Sequence, residues 1–161
     1  MTLFFESTIQ SFVPTVLQVD ARQAVTLLCD SLNEEQLKHL YVCLEASPEL
    51  TKHLVRSLMG SEYITESCCR DPGLLFQYLL IDAPVCPLTP SDISNTIKKS
   101  CVDNLTLDDF NVLVRRLRRR FMVMLYWRDL NLLADFNEVS CAMTAMAEAF
   151  IQQTLDFHYQ H

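Results

Sequence analysis

The sequence predicts an all-α protein, and three observations support this. Only two glycines occur in 161 residues, 50% of the residues are hydrophobic, and no strict alternation of apolar and polar residues persists over the length of a strand. A half-buried strand needs that alternation, whereas apolar residues spaced three and four apart form one face of a helix. We expect a single domain over residues 1–161, with short helices followed by a long antiparallel helix pair in a helical bundle.

Residues 1–81 are predicted to form short helices, and the first two have recognisable start signals. Asp20 opens a helix through Cys29, and Asn33 can cap the next helix, because its side chain can accept a hydrogen bond from a backbone N–H of the first turn. The residues predicted to face the core are Ala24, Leu27 and Leu28 in the first helix and Leu37, Leu40, Tyr41 and Leu44 in the second.

Three more short helices are predicted before residue 81. Ser47-Pro48 and Asp71-Pro72 each combine a capping residue with a proline at the first helical position, where proline loses no hydrogen bond. Ser61 can start a further helix between them. The predicted ranges are 48–58, 62–69 and 72–81, and the inward residues of the middle helix are Tyr63, Ile64 and Cys68.

A proline-rich break at 82–90 divides the short helices from the longer ones of 91–161. Three prolines within residues 81–90 rule out a continuous helix there. Thr89-Pro90 then opens a helix to about Cys101, and Asp92 is placed as its capping-box partner.

Two long helices are predicted after this, an arginine helix over 107–133 and a terminal helix over 136–158. Thr106 with Asp109 caps the first, and Asp135 with Glu138 caps the second. Because the link between them is short, they should pack as an antiparallel pair. The predicted apolar stripe of the terminal helix consists of Val139, Met143, Met146, Phe150 and Phe157.

The arginine helix has the most unusual composition in the chain. Five of the six residues 115–120 are arginine. At about 100° per residue, three of them point away from the apolar sector of the helix and two lie at its edge beside Trp127. The outward arginines are Arg115, Arg118 and Arg119, and the edge arginines are Arg116 and Arg120.

Residues 121–127 follow, and they are almost wholly apolar on every side of the helix. Such a helix is covered all round, here either by the short N-terminal helices or by something outside this chain. Arg128 projects from the middle of the apolar sector. Since its guanidinium cannot lose its charge there, it needs a carboxylate such as Glu148, a carbonyl or a ligand.

The candidate site is a docking surface for an anion or for another domain, made of Arg116, Arg120, Trp127 and Arg128. Guanidinium groups beside an aromatic plane can donate two parallel hydrogen bonds to a phosphate or a carboxylate. The competing interpretation is a solvated basic face with intrahelical ion pairs to Asp108 and Asp109.

Composition argues against several other kinds of site. A net charge of −7 does not suit a nucleic-acid-binding protein, and no apolar run approaches the ~18 residues of a membrane span. The seven cysteines include no C-x-x-C pair and are expected to be reduced. We assign no catalytic, cofactor-binding or metal-binding residue, and a small enzyme with a cysteine nucleophile is the least favoured class.

Residues 113–130, LVRRLRRRFMVMLYWRDL, followed by MTAMAEAFI at 143–151, resemble one family. It is the bifunctional glutamine synthetase adenylyltransferase/adenylyl-removing enzyme, in the segment before a catalytic domain. There the family shows LRRFRRRxMxRIAWRDL and then LSxLAExxI. The run Asp71-Pro72-Gly73-Leu74-Leu75, within 61–80, is similar to its D-P-x-L-L helix, and the resemblance covers about 45–157.

The sequence also departs from this family. Met124, Leu125 and Tyr126 stand where the family usually has arginine, isoleucine and alanine. The nucleotidyltransferase domain of the family carries a G-x-G-K-x-G-G loop and a D-x-D pair that holds the metal, and neither motif occurs in these 161 residues. The resemblance therefore implies the N-terminal helical region, not the catalytic residues.

The resemblance implies a cytoplasmic nitrogen-control enzyme as the parent protein. It would transfer AMP from ATP, with Mg²⁺, to a tyrosine of glutamine synthetase and remove it by phosphorolysis, under the control of a PII-type signalling protein and glutamine. This chain would then hold no cofactor and would scaffold its own downstream nucleotidyltransferase domain. The alternative is a free-standing helical protein-interaction module.

Overall fold

A computed structural model describes residues 3–81, 87–101 and 105–160, and these contain helices and no strand, which confirms the all-α prediction. The first helices are α1 Leu3–Phe12, α2 Gln18–Ser31 after a 3₁₀ turn at Thr15–Leu17, α3 Glu34–Ala46, α4 Pro48–Gly60 and α5 Glu62–Arg70. The others are α6 Pro72–Leu74, which continues as a π-helical turn over Leu75–Leu79, then α7 Pro90–Ser100, α8 Leu107–Leu130 and α9 Phe136–Gln160. None of the described helices is long and apolar enough to cross a membrane.

Most of the predicted helix starts are confirmed by their hydrogen bonds. Asn33 forms a full capping box with Gln36, in which each side chain accepts from the other residue's backbone N–H. The other predicted caps whose side chains accept from a backbone N–H of the first turn are Ser47, Ser61, Asp71, Thr89, Thr106 and Asp135. Local sequence is sufficient here because a cap contacts only residues two or three positions away.

The start predicted at Asp20 is wrong, because α2 begins at Gln18. Pro14 and the 3₁₀ turn after it already lead the chain into helical geometry, so that Asp20 lies within the first turn. The helix predicted over 72–81 is present but ends at Leu79, and its second half is π-helical, since Leu80 N–H donates to the carbonyl of Leu75, five residues back. Of the break at 82–90, residues 82–86 lie outside the described residues, and 87–89 are not helical.

Three residues predicted to face the core are exposed instead. They are Leu27, Tyr63 and Met143, which are 54%, 40% and 38% exposed. Their helices bury neighbouring positions, Ala21, Val25, Leu28 and Cys29 in α2, Ile64 and Cys68 in α5, and Ala142, Ala145 and Met146 in α9. For α9 the reason is its partner: α7 packs along it more extensively than α8 does, and the alanines lie at buried positions.

The ends of α8 and α9 are joined by two specific contacts. Phe110 at the start of α8 stacks on Phe157 near the end of α9, with ring centroids 4.2 Å apart. At the other ends, Arg128 forms an ion pair with Glu138. These contacts lie at opposite ends of both helices, as in an antiparallel pair. The link between them begins earlier than predicted, since α8 ends at Leu130 and not at 133.

The apolar residues 121–127 form the centre of the core. All of them except Tyr126 are buried, and α8 packs against α4, α5 and α9. Of the two predicted covers, the short helices of this chain are therefore the correct one. This burial fixes α8 in position and so determines where its arginines lie.

Candidate docking surfaces on the arginine helix

Arg116 and Arg120 line a cavity of about 180 Å³ between α8 and the α6 region, where Asp71, Gln77 and Tyr78 face them. Tyr78 holds Arg120 from one side, with the guanidinium carbon 4.0 Å from the centre of its ring. A cation over an aromatic face at this distance is an attractive contact. The Arg120 guanidinium is therefore positioned by packing as well as by charge.

Arg120 keeps a hydrogen-bond donor that has no partner. Its Nε atom is buried and makes no hydrogen bond, which is unusual for a buried polar atom. Among the residues that the structure describes, no carboxylate forms an ion pair with Arg120 or with Arg116. The wall of this cavity therefore carries two guanidinium groups with no paired carboxylate, and such groups favour an acceptor from outside the cavity.

Trp127 and Arg128 do not belong to this surface, so the predicted four-residue site is wrong as a single group. Trp127 is 0% exposed, and its closest aromatic neighbour is His53 with ring centroids 6.4 Å apart. Arg128 is 4% exposed. Both side chains are buried in the core, so neither can contact a docking partner in this conformation.

The carboxylate that Arg128 needs comes from Glu138. Arg128 Nε donates to Glu138 Oε1 at 2.7 Å, and Nη2 donates to Glu138 Oε2 at 3.1 Å and to the Leu133 carbonyl at 2.8 Å. Glu138 Oε1 also accepts from the backbone N–H of Leu88, ahead of α7. Glu148, the carboxylate suggested by the sequence, is exposed. Sequence reasoning identified Glu138 only as a capping residue, because its pairing depends on how α8 and α9 meet.

The outward arginines Arg115, Arg118 and Arg119 line a second groove, between α8 and α5, of about 350 Å³. Arg70, at the end of α5, brings a fourth guanidinium to the same groove. Sequence reasoning missed Arg70, because nothing in the local pattern of α5 links it to α8. The interpretation of a face paired with Asp108 and Asp109 finds no support, since no ion pair of α8 arginines 115–120 occurs among the described residues.

Three of the described thiols do not resemble catalytic nucleophiles. Burial raises the pKa of Cys68 to about 12, and burial also raises the pKa of Cys29 and of Cys101. A reactive cysteine needs the opposite shift, since the thiolate is the nucleophile. No group of three His, Cys, Asp or Glu side chains that could hold a metal ion occurs among the described residues.

By its fold and surface, the molecule is an all-α domain built around α8, whose second half is buried and whose first half presents arginines to the cavity and to the groove. A family model described as glutamate-ammonia ligase adenylyltransferase matches residues 51–161. The matched region is more than half of the chain and contains α8, α9, the cavity of Arg116 and Arg120, and the groove between α5 and α8. The chain therefore belongs to the glutamate-ammonia ligase adenylyltransferase family.

Individual relatives agree with this assignment. A bifunctional glutamine synthetase adenylyltransferase/adenylyl-removing enzyme of Pseudomonas syringae pv. tomato is 29% identical over 141 residues, which are 87% of this chain and 14% of that enzyme. The enzyme of the same name from Nitrosomonas europaea is 33% identical over 97 residues, 60% of this chain and 10% of the relative. The chain thus spans about a seventh or less of these relatives. No solved structure matches it.

Proposed function

We propose that this helical domain is a scaffold that docks a neighbouring nucleotidyltransferase domain, with Arg116 and Arg120 at the contact. The observation that carries the proposal is the Arg120 guanidinium, which is held against Tyr78 at the wall of a cavity and has no ion pair with a described carboxylate. A carboxylate or backbone carbonyl of the neighbouring domain would accept from the two arginines, and hydrogen bonds to a charged donor are the stronger ones.

The rigidity of α8 supports this role. Leu117 is buried between the two edge arginines, and the buried residues that follow anchor the same helix in the core. The backbone that carries both arginines is therefore fixed, and the Arg120 side chain is also held by Tyr78, so that Arg120 loses little conformational freedom when a partner arrives; such preorganisation increases affinity. A domain of this kind positions the neighbouring domain and supplies no catalytic group.

For the complete enzyme we propose the activities that the names of its relatives state, adenylylation of glutamine synthetase and removal of the adenylyl group. ATP, Mg²⁺, the PII-type signalling protein, glutamine and the cytoplasm belong to the same proposal. The residues of this chain do not fit a Mg²⁺–nucleotide site, because its two glycines do not cluster and it contains no Asp-x-Asp. We assign no step of the reaction to it.

The test is a binding measurement between two polypeptides. The 161-residue chain is titrated by calorimetry with the separately produced nucleotidyltransferase domain of the Pseudomonas syringae relative. We expect micromolar binding that weakens by about tenfold when Arg116 and Arg120 are both changed to alanine, as for the loss of charged interface anchors.

Arg56→Ala is the matched control. Arg56 is also a half-buried arginine over an aromatic ring, with its guanidinium carbon 4.8 Å from the Phe12 ring centre, but it does not line the cavity. It should lose a similar packing contact and leave docking unchanged. Equal binding by the Arg116/Arg120 variant and the unmodified chain would contradict the proposal, and no binding at all would favour the free-standing interaction module instead. Family membership favours the scaffold.

A further inference from the structure

We propose that the groove between α5 and α8 binds an acidic segment of a partner protein through Arg70, Arg115, Arg118 and Arg119. This groove faces a different side of α8 from the cavity of Arg116 and Arg120. The proposal stands whether or not the neighbouring domain docks at that cavity.

The groove is built from one face of each helix. On α8 its residues follow helical spacing at positions 115, 118, 119, 122 and 126, and on α5 they do so at 63, 66, 67 and 70. Tyr63 and Tyr126 meet edge to face, with ring centroids 5.7 Å apart. Arg70 lies seven residues from Tyr63 on α5, and Arg119 lies seven residues from Tyr126 on α8. Each arginine is therefore about 10 Å along its helix axis from the tyrosine contact. The groove is therefore elongated, with a tyrosine contact and a basic wall.

The charge of the groove is unbalanced. It contains four guanidinium groups and one carboxylate, that of Glu66. Within the described ranges none of these four arginines forms an ion pair, and Arg115 donates only to the carbonyl of Asn111 in its own helix. The whole chain carries a net charge of −7, so this local excess is not a general property of the surface. Concentrated charge of one sign attracts a partner of the opposite sign.

The chemistry of the groove favours carboxylates presented in succession by a polypeptide. All four cations are arginine, although the chain also has exposed lysines such as Lys98 and Lys99. The planar guanidinium can donate two parallel hydrogen bonds to a carboxylate, which a lysine cannot. Arginine and tyrosine are enriched at protein–protein interfaces, whereas lysine is depleted. An elongated groove with spaced arginines fits several carboxylates better than one compact ion.

The experiment is a fluorescence anisotropy titration of the 161-residue chain. The probe is a labelled peptide in which glutamates alternate with leucines, and the comparison peptide has glutamine in place of each glutamate. We expect micromolar binding of the acidic peptide alone, and a loss of about tenfold or more for Arg118→Glu with Arg119→Glu. The matched control is Lys98→Glu with Lys99→Glu, which makes the same change of charge on α7, away from the groove. It should change the affinity less than about twofold.

A charge-preserving variant separates specific recognition from general attraction. Arg118→Lys with Arg119→Lys keeps the charge and the exposed helix surface, so it should fold normally by circular dichroism and still lose about threefold to tenfold in affinity. Affinity equal to that of the unmodified chain would overturn the proposal. The proposal would also be overturned if tripolyphosphate bound more tightly than the peptide and the same Arg118 and Arg119 substitutions weakened its binding. The groove would then be a phosphate site.

Discussion

At the scale of single residues, Leu132 is the one described residue other than glycine with a positive φ, at 56°. It follows α8 in a Schellman motif, in which Leu132 N–H donates to the carbonyl of Asp129 and Leu133 N–H donates to that of Arg128. This position strongly favours glycine, because a Cβ clashes in the left-handed region. The leucine side chain is 84% exposed, so little packing offsets the strain.

We therefore expect Leu132→Gly to stabilise the protein by about 0.5–1 kcal/mol, the relief of left-handed strain less the backbone entropy of glycine. The measurement is the free energy of unfolding in urea. Leu132→Ala keeps the Cβ atom and should show no such gain. If alanine stabilises as much as glycine, the effect comes from removing an exposed leucine and not from the backbone.

At the scale of the elements, Glu138 connects three of them. Its carboxylate pairs with Arg128 of α8 and accepts from Leu88 ahead of α7, while its own backbone lies in the first turn of α9. Neutralising Glu138 removes a two-point counter-charge from the guanidinium of a residue that is only 4% exposed. Such a loss is far more costly than the loss of a surface ion pair.

Glu138→Gln is expected to destabilise the protein by about 2 kcal/mol or more, somewhat less than for a fully buried pair because Glu138 is partly exposed. Glu148→Gln, on the exposed side of the same helix, is the control and should have little effect. The double change Arg128→Met with Glu138→Leu should recover most of the stability, since apolar replacement of a whole buried pair is often neutral. Urea unfolding of all three variants checks this, and equal losses for Glu138→Gln and Glu148→Gln would exclude the structural role of the pair.

At this scale, the sequence predicts the features that depend only on residues within one helix. The predictions of the helix caps at Asn33 and Thr106 and of a covered apolar segment at 121–127 are of this kind, and they are confirmed. Which side of α9 is buried depends on α7 packing against it, and Met143 was therefore placed wrongly in the core. Arg116 and Arg120 do share a surface, as predicted. The place of Arg70 beside the α8 arginines and the pairing of Glu138 with Arg128 depend on how separate helices meet, so local sequence could not reveal them.

At the scale of the whole molecule, opposing electrostatic effects determine how stability depends on pH. A net charge of −7 and a pI of about 5.0 predict less self-repulsion as the pH falls toward 5. Individual groups act in the other direction. Burial lowers the pKa of His53 below its usual 6.5, and hydrogen bonds from Arg22 and Lys52 lower the pKa of Glu6 and Glu49.

All three shifts have the same sign, since each folded-state pKa lies below its unfolded value. The unfolded chain therefore binds more protons over each interval, and acid favours unfolding. His53 acts first, from about its unfolded pKa of 6.5 downward, and the two glutamates act below about pH 4.5. Exposed charges are screened over ~8 Å at physiological salt, so the drop in net negative charge should stabilise the fold only slightly. We therefore expect the stability lost through His53 to exceed the stability gained from reduced self-repulsion.

Stability should consequently fall between about pH 7 and about pH 5 at physiological salt, and His53→Asn should flatten that part of the curve. The measurement is the urea midpoint at several pH values for each protein, so that the slope is compared and not the absolute stability. His158→Asn, at an exposed position near the end of α9, is the control and should keep the slope of the unmodified chain. A midpoint that rises toward pH 5 would show that self-repulsion dominates. An unchanged slope in His53→Asn would show that the dependence arises elsewhere.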